Sequence, residues 1–322
     1  MKKTVMTPRV PRAQGAVPFF NLIPKPPYEF SLSAAIFTGG EPDIRTFADG
    51  TFRQVLDTGS GPVVAEVRSS GTTEDPALSL TLRTDHEVSG IAAEDIRERI
   101  ASMLSIDDDL VPFYRAVHAD PILADLSVRL RGLRVPVTPT VFEALTDSII
   151  EQQISLKAAR SIENRLIRAV GKELALDGTW YHCYPDPEIL ARTTDSTFRA
   201  CGLTVRKGEY IRDSSRLILA GDLDVEGFRN YPDTAMVQAE LEKIRGIGRW
   251  TAELTLLRGL HRPDAFPADD VGVRRFISQF YLGGVKISPG DARAFAERWG
   301  EWKGFAAYYL EVADLLGIRP AV

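Results

Sequence analysis

The chain has 322 residues, of which 44% are hydrophobic and 26% charged, ordinary values for a water-soluble protein of two or three domains with a substantial core. Two cysteines, Cys183 and Cys201, exclude a disulfide framework and a four-cysteine iron–sulfur cluster. A net charge of −5 weighs against a nucleic-acid partner unless basic residues are concentrated locally.

Met1-Lys2-Lys3 is basic but leads into no apolar run, so neither a secretory signal nor a membrane segment is expected and the default address is cytoplasmic. Residues 1–27 hold six prolines and read as an extended arm, with the folded chain starting at Tyr28. In 28–111 the side chains alternate. Val63, Ala65 and Val67 share one side of a run, with Val64 and Glu66 on the other, and Leu78, Leu80 and Leu82 alternate with Ser79, Thr81 and Arg83. The pattern predicts a small antiparallel sheet with one solvated face, covered by a helix through Ile96, Ile100 and Leu104.

From Pro112 to the end the periodicity is helical, so the expected class is α+β with a mostly helical part over 112–322. Asp120-Pro121 opens one helix, and Thr140-x-x-Glu143 is a capping-box signature before Leu145 and Ile149. The polar run Glu151-Gln152-Gln153 breaks the pattern before a helix carrying Ile162, Leu166 and Val170. His182 and Cys183 adjoin, but no second pair lies at metal-ligand spacing, so zinc is not expected.

Residues 241–258 read as helix, hairpin, helix. Leu241, Ile244, Leu254 and Leu257 keep helical spacing on either side of Arg245-Gly246-Ile247-Gly248, whose glycines suit a reversal with positive φ. Such a turn leaves the first amides of the next helix, around Arg249 to Thr251, open to an anion, although an ordinary helix connection needs the same glycines. Lys243, Arg245, Arg249, Arg258, Arg262, Arg274 and Arg275 make 243–275 locally basic. Past the proline-flanked Pro263–Pro267 segment, Asp269 and Asp270 precede a helical pattern through Val273 and Phe276; either is a helix cap, and a capped carboxylate is also well directed for catalysis. The aromatics Phe295, Trp299, Trp302, Phe305, Tyr308 and Tyr309 form a C-terminal stripe more typical of core than of a ligand pocket.

The string L-x-x-I-R-G-I-G-R-W-T-A, followed by L-R-G-L, F-P-A-D-D and V-R-R, resembles the helix–hairpin–helix DNA glycosylase superfamily, and within it the 3-methyladenine DNA glycosylase II (AlkA-type) branch. The resemblance implies a TATA-box-protein-like sheet domain over 28–111, whose start Pro26-Pro27-Tyr28-Glu29-Phe30-Ser31 is also similar, and a glycosylase core of two helical subdomains with a cleft between them. It implies Asp270 as the catalytic carboxylate. Trp250 stands where the lyases of the superfamily keep a lysine, which implies a monofunctional enzyme that hydrolyses the N-glycosidic bond of alkylated purines in double-stranded DNA and leaves an abasic site. Arg245, Gly246, Gly248, Arg249 and Thr251 fall on the backbone-binding hairpin, and Gln153 on the intercalating position. Trp250, Phe37 beside Ile36, and Tyr308 or Tyr309 are the aromatics for the base pocket, Tyr309 being the one assigned there, since Glu311 occupies the position of the family's stacking tryptophan. A monovalent cation, sodium or potassium, would sit on the main-chain carbonyls of Glu242, Ile244 and Ile247; no other cofactor is implied, and a monomer is expected. Two rivals stay open: a glycosylase for 8-oxoguanine or deaminated purines, and a helix–hairpin–helix DNA-binding module without chemistry.

Overall fold

A computed structural model describes residues 18–319; Pro8 and Pro11 of the expected arm lie outside that range. Five strands, β1 (Phe19–Leu22), β2 (Arg45–Ala48), β3 (Thr51–Asp57), β4 (Pro62–Ser69) and β5 (Leu78–Arg83), form an antiparallel sheet in the order β1-β5-β4-β3-β2. The arm boundary therefore needs correction. Phe19–Leu22 is a strand, with Phe20 opposite Leu80, because prolines that flank a short edge strand leave its donors free to pair.

Alternation places Val63, Ala65 and Val67 of β4 and Leu78, Leu80 and Leu82 of β5 on one face, packed under α1 (Phe30–Ala34) and α2 (Gly90–Met103) through Ile96, Ile100 and Leu104. The opposite face is only partly solvated. Val55 and Val64 are covered by Leu174, Tyr181 and Cys183 from a second, two-stranded ribbon, β6 (Glu173–Leu176) and β7 (Thr179–His182). Both cysteines are free and buried.

The remaining helices build two apolar clusters. One gathers α3 (Val111–Val117) and α4 (Pro121–Arg129) with the C-terminal helices α12 (Val271–Tyr281), α13 (Pro289–Ala296) and α14 (Lys303–Leu315). The other gathers α5 (Val141–Glu151), α6 (Leu156–Val170), α7 (Pro187–Arg192), α8 (Asp195–Cys201), α9 (Val205–Ala220), α10 (Thr234–Glu242) and α11 (Arg249–Arg258). Most helix starts follow the sequence signals: Asp120, Ser155, Thr204, Asp233 and Asp270 each accept first-turn amides. The capping box at Thr140 is only half formed. Thr140 accepts from the Glu143 amide, but the Glu143 carboxylate turns away to Arg45 Nη2 at 2.5 Å, because a buried guanidinium is the stronger donor. Arg134, wholly buried, gives hydrogen bonds to the carbonyls of Ser105, Lys25 and Asp108 and so fastens the sheet layer to the helical part.

No helix of the described residues is long and apolar enough to cross a membrane.

Candidate active site

An open cleft of roughly 2140 Å³ is walled by residues of both helical clusters and of the segment joining α1 to β2. The hairpin between α10 and α11 borders it through Gly246, Gly248 and Arg249. Buried Leu241, Ile244, Ile247 and Ala252 anchor the turn from below. Gly246 has φ +88°, and a Cβ there would sit 2.3 Å from Cδ2 of Tyr210, so conformation and the packed ring both demand glycine. Gly248 departs from the expected positive φ. Its φ of −98° is open to any residue; as the cap of α11 it supplies empty space, with nothing within 4 Å of a would-be Cβ. The amides of Arg249, Trp250 and Thr251 consequently open the helix with no side-chain cap, at its positive dipole end.

The side chains around this turn are more committed than their charges suggest. Arg245 pairs with Glu209 (2.9 Å) and Asp213 (3.1 Å) and lies over the Tyr210 ring, and Arg249 pairs with Glu253 (3.0 Å). Thr251 can offer only its amide outward. Its side chain is buried, and Oγ1 accepts from Gln152 Nε2 at 3.0 Å. Gln152 Nε2 also donates to the Gly246 carbonyl at 3.0 Å, while Lys207 Nζ donates to the carbonyls of Ile150 and Gln152. These bonds lock the α5–α6 turn to the hairpin. Gln153, at the tip of that turn, is exposed in the left-handed region with φ +56° and borders the cleft.

Asp270 caps α12, its Oδ1 accepting from the amides of Gly272 (2.7 Å) and Val273 (3.1 Å). Gly272 permits this: a Cβ there would approach Oδ1 to 2.9 Å. The other oxygen, Oδ2, accepts the indole N–H of Trp250 at 3.1 Å. Three donors thus aim one part-buried carboxylate into the cleft. Asp269 is its exposed neighbour, 3.7 Å from Arg293. Sequence periodicity gives no signal for the Trp250–Asp270 bond, because it joins two helices across a loop.

Phe37 lines the cleft beside Ile36 and packs on Phe52 with centroids 4.9 Å apart. The expectation for Tyr309 does not hold. Its ring is fully buried against Phe113, and its hydroxyl donates to the Leu133 carbonyl at 2.9 Å. One residue is 100° of helix, so it is Tyr308 that faces the cleft. Glu311 follows one turn later on the same wall. At the hairpin, the carbonyls of Glu242 and Ile247 accept no hydrogen bond among the described residues, and that of Ile244 accepts only the Ile247 amide. Neutral main-chain oxygens of this kind suit a large monovalent cation.

Arg45, Asp147 and Glu163 also line the cleft; Arg45 contacts Glu143 (2.5 Å) and Glu163 (3.7 Å), and the Tyr184 hydroxyl donates to Asp147 (2.7 Å). Burial, reinforced by the neighbouring carboxylates, pushes Glu163 up to about 7 and raises Asp147 and Glu143 as well. The folded state therefore holds protons that an unfolded chain would release near ordinary carboxylate pKa values. The sign follows: this cluster costs nothing below those values and destabilises the fold as pH rises through them toward about 7. Thermal melts from about pH 5 to about pH 8 should show this loss, and Glu163→Gln should flatten it.

Residues 146–301 match the family described as HhH-GPD superfamily base excision DNA repair protein. The chain is 36% identical over 219 residues to DNA-3-methyladenine glycosylase of Bacillus subtilis, covering 67% of this chain and 71% of that protein. It is 30% identical over 189 residues to DNA-3-methyladenine glycosylase 2 of Escherichia coli, covering 58% and 63%. Among solved structures, the 3-methyladenine DNA glycosylase of Archaeoglobus fulgidus superposes with TM-score 0.79 at 26% identity, over 92% of this chain and 98% of that one.

Proposed function

The chain belongs to the HhH-GPD superfamily of base excision DNA repair proteins, and on that premise we propose that its cleft takes up an alkylated purine flipped from duplex DNA and that Asp270 drives loss of the base. The enzyme is a hydrolase of N-glycosidic bonds acting on alkylated bases. The observation that carries the reading is Asp270, held by two amides and the Trp250 indole inside a cleft bordered by the hairpin.

A purine alkylated on a ring nitrogen is cationic and already a good leaving group, so no general acid is needed and one carboxylate suffices where most glycosidases use two. Asp270 stabilises the oxocarbenium-like sugar and orients or deprotonates the attacking water. The Trp250 face attracts the cationic base, worth about 1–2 kcal/mol when desolvated. The amides of Arg249, Trp250 and Thr251 hold a backbone phosphate, and Lys157, Arg160 and Arg165 along the cleft, which make no ion pair among the described residues, supply local positive charge that the overall −5 conceals. Gln153 fills the gap left in the base stack. A sodium or potassium ion held by the carbonyls of Glu242, Ile244 and Ile247 would add positive charge behind that phosphate.

With an indole rather than an amine at position 250, no Schiff base forms, and the product is an intact strand with an abasic site. We place the protein in the cytoplasm, on the nucleoid when engaged, working as a monomer on double-stranded DNA. Incubation with methylated duplex should release free 3-methyladenine and leave strands that break only after alkali; breaks without alkali would refute the monofunctional assignment.

A further inference from the structure

α14 turns Gly304, Ala307, Tyr308, Glu311 and Leu315 toward the cleft, the spacing of a single helical face. Four of these are small, apolar or aromatic. Of the two acids of α14 that line the cleft, Asp314 pairs with Arg275 (3.1 Å) and Arg319 (3.0 Å), whereas Glu311 makes no hydrogen bond or ion pair among the described residues. Arg258 of α11, the cation that acts on it most strongly, is engaged instead with Glu151 at 2.7 Å. Glu311 is half-buried on the wall of the cleft that holds Asp270, and its carboxylate stays open to a charge that a ligand brings.

We propose that Glu311 determines which bases this enzyme accepts: its carboxylate favours bases bearing a formal positive charge over neutral bases of similar shape. The inference rests on the glycosylase reading and deepens it. A cationic purine gives the carboxylate the partner it lacks. A neutral purine strips water from it and offers no charge in return, so discrimination arises largely by penalising the wrong base. Trp250 stacking also favours a cation, but Glu311 adds a selectivity that depends on pH.

The groups facing Glu311 are Arg258 on α11, Asp270 at the start of α12, Glu151 on α5, Arg160 on α6 and Tyr308 on its own helix. Burial raises the Glu311 pKa, Arg258 and Arg160 oppose that rise, and Asp270 and Glu151 add to it. Protonated Glu311 cannot discriminate by charge. The preference for a cationic base therefore strengthens as pH rises through its titration, whereas the requirement for Asp270 is common to both kinds of substrate and cancels in their ratio.

The test uses the full chain in single-turnover release of 3-methyladenine, a cationic base, and hypoxanthine, a neutral one, from duplex DNA between about pH 5 and about pH 8. Wild type should show a 3-methyladenine to hypoxanthine rate ratio that climbs with pH. Glu311→Gln, of the same shape, should lower that ratio about tenfold at the upper end and flatten its pH dependence. If wild type releases 3-methyladenine but Glu311→Gln leaves the ratio and its profile unmoved, Glu311 is not the selector. If wild type releases no methylated base, the reading of the cleft fails and this inference with it.

Discussion

Asp270→Asn will bind duplex DNA as wild type does and release methylated purines about 10³-fold more slowly, or not measurably. Asparagine is as good a helix cap as aspartate, and its single oxygen can keep the amides of Gly272 and Val273, so α12 and the local fold survive. What disappears is the anion. The amide nitrogen also takes the place of Oδ2, so that two donors, this NH2 and the Trp250 indole N–H, face each other. Single-turnover excision, with affinity measured in parallel on a duplex containing an abasic analogue, separates the two quantities. Excision within tenfold of wild type, with affinity unchanged, would remove Asp270 from the chemistry.

Gly246→Ala will destabilise the chain by about 2–4 kcal/mol and weaken duplex binding about tenfold or more. Two terms add. A φ of +88° is unfavourable for any side chain, and the new methyl would lie 2.3 Å from the Tyr210 ring, far inside contact distance. Relief by backbone movement would swing the amides of α11 away from the phosphate and pull on the Gln152 side chain that bonds the Gly246 carbonyl. Denaturant melts and a binding isotherm measure both effects. Adding Tyr210→Ala should recover the clash and leave the conformational strain, so the pair must be non-additive in stability. Gly248→Ala is the control, since its backbone is ordinary and its surroundings open: stability should hardly change, and any loss of affinity reports the approach of the DNA backbone itself.

In the proposed reading, the acceptance of a base and the excision of that base fall to different residues. Asp270 answers to helix α12 and the Trp250 indole, Glu311 to the cleft-facing stripe of α14. The hairpin is tied to the α5–α6 turn by Gln152, so Gly248 and Gln153, the positions proposed to grip the strand and to fill the base stack, share one support.

Local signals in the chain were enough for most of its elements, and the family resemblance they add up to was enough for its class of chemistry. Strand alternation at Val63–Val67 and Leu78–Leu82, caps at Asp120 and Asp270, and the glycine turn at Gly246 each depend on neighbours a few residues away, which a linear reading can see. Residues that meet across the fold were decided by tertiary structure alone. Proline content marked Phe19–Leu22 as an arm, yet a partner strand some sixty residues on made it part of the sheet. The Glu143 carboxylate abandoned its cap for an arginine 98 positions away, Thr251 turned inward to Gln152, and a single helical step exchanged Tyr309 for Tyr308 in the cleft. Sequence spacing sets the direction of a side chain relative to its own helix to within a turn; which neighbour it then touches depends on how helices pack, and the packing is an outcome of the whole chain.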